Sequence, residues 1–514
     1  MSMRNNVKSN FIPDLFHKFS NQQFKEIASY TFIVYFIAAF CGWFNLCFAQ
    51  IFRKFYFPLR SYLITFDPSQ LTNFPKSQRS IYNLAGFKTI IDSHLPYKLI
   101  DDLFFILLST LLIILFYCGY KSIELNKATQ GEIIKWSIIF SVLMAFSIPS
   151  NSSDLFAYVA RGAQQSIYHQ NPYLETISSI NGYKDNPLFF NFMWPRTVGT
   201  YGPIFNYVSK AIVYLNNNNF VLSLINFKLL NLTIFFLLIL FTLKMNNTKN
   251  LFLIAWNPLI MIQGLWNCHN DLISGALIFL GLYLLVKEKH FWGIFALTVA
   301  AGIKFVSLLI IPVIFFYFLK TKPEKHIFVN LVLGLCCGIL LITILSIDYI
   351  IPGHNLTSHN ITNFLASVGL VHKSLIAAII TVIKYLTNLQ ETNLNLISIQ
   401  SIVKYVVYSI FGIFYIWILS KRGTNLASDV TLVLFIFFAF TIAKFHSWYL
   451  LNVIVLIPFL DRGEVTSPLR KLLIVLSMSH TYAITFLDQA KIVNFISMTL
   501  LPTIFILFKE KKSK

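Results

Sequence analysis

Long apolar runs recur along this chain from about residue 31 to residue 508, and no other feature constrains its fold as much. A run of about 20 apolar residues crosses hydrocarbon only as a helix, because lipid offers backbone N–H and C=O groups no other partner. The 514 residues are 56% hydrophobic and only 12% charged, which leaves no stretch that reads as a soluble domain. The sequence predicts an all-α polytopic membrane protein, one integral domain over residues 1–514. Its first run starts near Thr31 and lacks a small-residue cleavage site, so it reads as a retained span and not as a signal peptide.

Spans are expected at about 31–52, 103–120, 134–149, 220–243, 250–266 and 271–286, then at 327–347, 399–420, 428–443, 447–460, 471–486 and 491–508. Residues 291–320 are too long for one ordinary span and are interrupted by Lys304. They predict two short helices with Lys304 at a cavity or outer end. The total is roughly 12–14 membrane helices, with both termini inside by the placement of Lys and Arg in the short loops. The net charge of +20 then reflects basic inner loops facing anionic lipid, and it does not imply nucleic acid. Six cysteines show no metal-ligand spacing and no disulfide framework. Two long outer segments remain, about 53–102 and 150–219. Within the second, Pro203–Leu215 is apolar but short and reads as an amphipathic interfacial or re-entrant piece.

The most informative stretch is 147–173. Ser152 or Ser153 can cap a helix whose first turn carries Asp154, where a carboxylate suits the positive end of the helix dipole. Tyr158 and Arg161 follow at four and seven residues, on the face of Asp154, and Asn171-Pro172-Tyr173 ends the segment. The expected topology also gathers Asn171, Arg196, Tyr201, His269, Asp271, Lys304, His354, Lys444 and His446 on the outer side. Each alone has a plain structural account, as a loop anchor, a snorkelling lysine, a cap or an aromatic belt. Their clustering on one face points to a shared cavity, because ionisable groups at membrane depth are costly.

The run S-S-D-L-F-A-Y-V-A-R-G with N-P-Y behind it, then T-Y-G-P at 200–203, W-N-P-L at 256–259, N-C-H-N-D at 267–271, G-I-K-F-V at 302–306 and H-S-W-Y at 446–449, follow one another in order. Together they resemble the polyprenyl-phosphate-sugar-dependent glycosyltransferases of the GT-C superfamily, in the α-(1→6)-mannosyltransferase-like branch. Two departures stand out: Cys268 precedes His269 where the family often has glycine, and Val306-Ser307 replaces a proline common after the K-F pair. The resemblance implies a GT-C-like bundle that moves a hexose, mannose in this branch, from a polyprenyl-phosphate donor to a glycan or glycolipid hydroxyl. The active site would face outward from a bacterial cytoplasmic membrane.

It further implies Asp154 as general base, with Asp101 or Asp102 as rivals. Lys304, Arg196, His446 and Arg161 would hold the donor phosphate, and His269, Asn270, Asp271, Tyr158 and Tyr201 would line the sugar or acceptor pocket. No cofactor is implied, since the lipid-phosphate sugar is a substrate. No convincing carboxylate cage for a metal is legible, although divalent metal is left open. Two other classes share parts of this pattern. A flippase of lipid-linked sugar would carry paired broken helices. An O-antigen-type polymerase would carry arginine-rich outer loops, whereas residues 348–398 hold only Lys373 and Lys384.

Overall fold

The computed structural model describes residues 24–51, 95–125, 127–149, 152–189, 192–350, 374–387, 394–421, 425–460, 466–482 and 496–512. The described residues are mostly helical. Among the described residues, four helical segments are long and apolar enough to cross a membrane: Ile106–Glu124, Phe220–Leu243, Lys325–Leu345 and Ser398–Ser420. Shorter apolar helices accompany them at His290–Ile303, Phe305–Thr321, Leu426–Thr441 and Ile496–Ile506.

Helices α1 (Phe24–Ile51), α2 (Leu95–Glu124) and α3 (Gln130–Ala145) pack together at the start of the bundle. A capping box opens α3: the Thr129 hydroxyl accepts from the Glu132 N–H, and the Glu132 carboxylate accepts from the Thr129 N–H. These helices close on Trp256, whose ring lies 4.8 Å from Phe24, 4.9 Å from Phe140 and 5.2 Å from Phe252. The Trp256 indole donates to the Ile133 carbonyl at 3.1 Å, and the Asn257 side chain accepts from the Leu259 N–H at 3.1 Å. The W-N-P-L motif is thus an aromatic hub followed by a tight turn.

Helix α4 (Asp154–Ser166) lies against α5 (Pro203–Leu215), and both precede the long α6 (Phe220–Leu243). Gly162 makes this packing possible, because a Cβ there would stand 2.4 Å from the Ser209 carbonyl oxygen. After α7 (Thr248–Ala255) comes a π-helical turn, Ile260–Trp266, and then α8 (Asp271–Val286). These two bend by 115° at residues 267–270, so the N-C-H-N-D motif is the corner of a broken helix pair. Helix α9 (His290–Ile303) runs back alongside α8. Lys304 then adopts an extended backbone (φ −145°, ψ 118°), and a 3-10 turn, Phe305–Leu309, leads into α10 (Ile310–Thr321). The predicted break in 291–320 falls at this lysine.

The remainder comprises α11 (Lys325–Leu345), α12 (Leu375–Thr387), α13 (Leu394–Ser420), α14 (Leu426–Ile436), α15 (Thr466–Ser479) and α16 (Leu501–Lys512). The expected span at 447–460 is not one helix. It is a chain of short turns, Ser447–Leu450, Leu451–Ile454 and Ile457–Leu460, buried among the other helices. A segment enclosed by protein can spare the regular backbone that lipid contact would demand. Most of 53–102 and of 348–398 lies outside the described residues, as do the side chains of Asp101, Asp102 and His354.

Candidate active site

The site forms where α4, the 267–271 corner, the end of α9 and the 444–452 segment meet. Asp154 opens α4. Ser153 occupies the N-cap but makes no side-chain cap bond; the Ser152 hydroxyl instead accepts from the Asp154 N–H at 3.2 Å. The Asp154 carboxylate reaches His269 Nδ1 at 3.1 Å. From the same helix, the Tyr158 hydroxyl accepts from the Asn270 N–H at 3.1 Å, so α4 grips the corner at two successive residues. Tyr158 is in turn packed edge-on by Tyr201 at 5.2 Å and Phe205 at 4.7 Å.

His269 is fully buried, and its ring is stacked on Trp448 at 4.0 Å. The opposite neighbour of Trp448 is His446, stacked at 4.2 Å. An indole slab between two imidazoles therefore joins the H-S-W-Y motif to the N-C-H-N-D corner. Asp271, next on that corner, pairs with the Lys304 ammonium and accepts from Asn452 Nδ2 at 2.7 Å. Lys304 also stands 3.9 Å over the Tyr449 ring, a cation–π contact. The T-Y-G-P motif holds this arrangement from the other side. The Gly202 N–H donates to the Ile303 carbonyl at 3.0 Å, and a Cβ on Gly202 would meet the Gly302 carbonyl oxygen at 2.3 Å.

Exposure shows which groups a substrate can touch. The side chains of Asp154 and Lys304 are 22% and 23% exposed, whereas His269 and Asp271 are sealed at 0% and 1%. Beneath that opening, His269 Nε2, Asn270 Nδ2, Asp271 Oδ2 and Asn452 Oδ1 are buried with no hydrogen-bond partner among the described residues. Polar atoms are seldom left so, and four in one cluster signal a polar ligand or ordered water.

Burial alone would raise the Asp154 carboxyl. The His269 hydrogen bond and the fields of His269, Lys444 and Lys304 outweigh it and hold the group below the usual aspartate range. Lys444 feels the reverse: burial lowers its ammonium and Asp154 partly restores it. Its Nζ lies 4.9 Å over the Trp194 ring, and no carboxylate among the described residues lies within ion-pair distance.

The structure therefore brings Asp154, Tyr158, Tyr201, His269, Asn270, Asp271, Lys304 and His446 together. Neither arginine hydrogen-bonds or ion-pairs with these groups among the described residues, although Arg161 lies near enough to Tyr201 for its charge to act on it. Arg161 is buried and turned toward the loop, donating to Gln164 Oε1 at 2.8 Å and to the Thr197 carbonyl at 2.5 Å beneath the Phe192 ring. Burial pulls its guanidinium down to about 10. It ties α4 to the segment 192–199. Arg196 acts on Tyr183, whose phenol burial raises and Arg196 partly restores, and no hydrogen bond or ion pair among the described residues links it to Asp154.

Two residues of the site escaped sequence reasoning. Asn452 had no signal beyond an amide in an apolar run. Lys228 sits mid-helix in α6, buried, with its ammonium on the carbonyls of Ser147 at 2.9 Å, Leu265 at 3.0 Å and Trp266. Its signal was a charge eight residues into a strongly apolar run. Among the described residues no group of three His, Cys, Asp or Glu side chains is placed to hold a metal.

Residues 63–320 match the family described as Alpha-(1→6)-mannopyranosyltransferase, N-terminal domain. The chain is 24% identical over 210 residues to Alpha-(1→6)-mannopyranosyltransferase A of Mycobacterium tuberculosis, a match covering 39% of this chain and 40% of that protein. It is 24% identical over 219 residues to the protein of the same name from Corynebacterium glutamicum, covering 39% of this chain and 43% of the relative. The chain thus spans about two fifths of the length of the curated relatives it matches. Asp154, His269, Asp271 and Lys304 fall within the family match, and Lys444, His446, Trp448 and Asn452 lie beyond it.

Proposed function

The chain belongs to the Alpha-(1→6)-mannopyranosyltransferase family, and from that premise we propose that it is an integral-membrane glycosyltransferase moving mannose from a polyprenyl-phosphate donor to a glycan or glycolipid hydroxyl. The observation that carries the reading is the pairing of a partly open carboxylate, Asp154, with a sealed histidine, beside an open lysine and above four unpartnered polar atoms.

In this mechanism the acceptor hydroxyl approaches Asp154. As its oxygen bonds to C1 of the sugar, the proton passes to the carboxylate and the C1–O bond to phosphate breaks. The electron pair stays on the departing phosphate, and the anomeric centre inverts. Asp154 is the base rather than His269, because His269 is fully enclosed and cannot meet an alcohol. His269 instead orients the carboxylate through Nδ1. A base held ionised below the usual range suits a reaction in which the sugar carries most of the positive charge and the alcohol proton leaves late. The departing phosphate needs cations more than a proton donor. Lys304, His446 and Lys444 supply them, the two lysines close enough for their fields to reach Asp154. The polar atoms of Asn270, Asp271 and Asn452 are as sealed as His269, so one amide donor and two oxygen acceptors reach sugar hydroxyls through ordered water and not by direct contact. The active face is the outer one, in a bacterial cytoplasmic membrane, as the positive-inside pattern supports.

The test is Asp154→Asn in proteoliposomes supplied with labelled polyprenyl-phosphate mannose and a mannan acceptor. Transfer should fall at least about 100-fold while donor binding persists. Undiminished transfer removes Asp154 as the base. A carrier of lipid-linked sugar would still translocate donor in that variant, and only one bent helix pair among the described residues resembles the device such a carrier needs.

A further inference from the structure

An ammonium has three N–H donors and no acceptor. Lys228 donates to three main-chain carbonyls, those of Ser147, Leu265 and Trp266. These acceptors come from two segments that end side by side. Ser147 follows the end of α3, seven residues before Asp154. Leu265 and Trp266 close the π-helical turn, three residues before His269. Both ends expose carbonyls at the negative pole of a helical segment, where a cation is favoured.

The surrounding contacts repeat the pattern. The Trp266 indole donates to the Ile148 carbonyl at 2.6 Å, joining the same two segments directly. Asn231, one turn from Lys228 on α6, donates to the Gly264 and His269 carbonyls at 2.8 and 3.2 Å, and the Cys268 thiol donates to the Phe227 carbonyl at 3.4 Å. Cys268 has a positive φ of 60°, so the corner is held in a backbone shape that it would leave if released. With all three donors engaged, Lys228 has none left for substrate.

We infer that Lys228 is a positioning residue for the Asp154–His269 pair: one buried ammonium clamps the two chain segments that deliver the carboxylate and the imidazole, and so fixes their 3.1 Å contact. The inference rests on the glycosyltransferase reading above. Lys304, Lys444 and His446 stand on other elements, so the clamp governs the reacting geometry and not the grip on the donor phosphate. A displacement of about 1 Å at a reacting group is enough to cost about 100-fold in rate.

The experiment uses the full chain in lipid nanodiscs, comparing Lys228→Met, which keeps the stem and removes the ammonium, with the parent. Expected are a fall in kcat of about 100-fold, a donor KM within about threefold of the parent, and an acid limb of the pH–rate profile displaced to higher pH as Asp154 loses His269. A loss of activity that only tracks the folded fraction, with kcat per folded molecule and the acid limb both parental, overturns the inference. Should Lys228→Met not fold, Trp266→Phe cuts the second tie between the same segments, and it should move kcat and the acid limb in the same direction by a smaller factor. A parental profile there overturns the inference equally. If Asp154→Asn retains parental transfer, the base assignment itself fails. If Asp154→Asn is inactive while Lys228→Met behaves as the parent, only the positioning role fails.

Discussion

The two ends of this bundle use the same residue types to different effect. At the end away from the site, Lys322 pairs with Glu288 at 2.7 Å with side chains 47% and 69% exposed, and Lys121 pairs with Glu124 at 2.7 Å in reach of solvent. Lys421 and Asp429 make a more sheltered pair there, at 2.5 Å. At the site end, Asp154, Asp271, Lys304 and Lys444 are partly or wholly enclosed, and the polar atoms around them are left with open valences. Charge at the first end solvates the protein. Charge at the second is largely enclosed and acts on a ligand more strongly, because water screens it less.

Three changes sharpen or break that contrast. The largest effect belongs to Asp271→Asn, which strips Lys304 of its carboxylate and leaves a partly buried ammonium uncompensated. Removing one partner of an enclosed pair costs up to about 3–5 kcal/mol, and the opening at Lys304 places this case near the lower figure. Thermal unfolding in detergent should drop by several degrees and transfer by about 100-fold; an unaltered melting temperature would place the pair with the solvated ones at the other end.

His269→Leu comes next. The parent holds its Asp154 carboxyl below the usual range, so the base stays ionised on acidification and its contribution is lost only as pH falls through that lowered value. Without the imidazole, burial is left to raise the group, and the acid limb of the rate profile should move to higher pH. A limb that stays in place, or moves down, would show that His269 does not hold the carboxylate. The smallest effect is expected for Glu288→Ala, which breaks a fully exposed pair: a melting temperature close to the parent's and parental transfer per folded molecule. A large loss of transfer there would erase the difference between the ends.

Much of the fold was legible because hydropathy is a property of local runs. Residues 220–243 and the break at Lys304 could be read from composition and length alone. The corner at 267–271 was legible as a turn, and its neighbours as polar groups on one face. Long-range packing decided the rest. Arg161 lies on the helix face expected to serve substrate, yet its donors go to Gln164 and to Thr197 of the segment 192–199, which folds over it. Lys228 gave only the signal of a stray charge in an apolar run, since its three acceptors lie far away in sequence. Ser153 sits where a cap belongs, but the bond falls to Ser152, a matter of backbone angles that residue type does not encode. The 447–460 run has the hydropathy of a span, and only its enclosure by other helices frees it to break into turns around Asn452.

The contact between Gly202 and Gly302 reaches beyond packing. Two backbones meet there with no side chain between them, so the strip carrying Tyr201 is fastened directly to the residue pair preceding Lys304. A flap hinged at that strip would have to drag the lysine with it. Any doorway into the site must therefore open along another edge, and the wall formed by the glycines behaves as a fixed jamb.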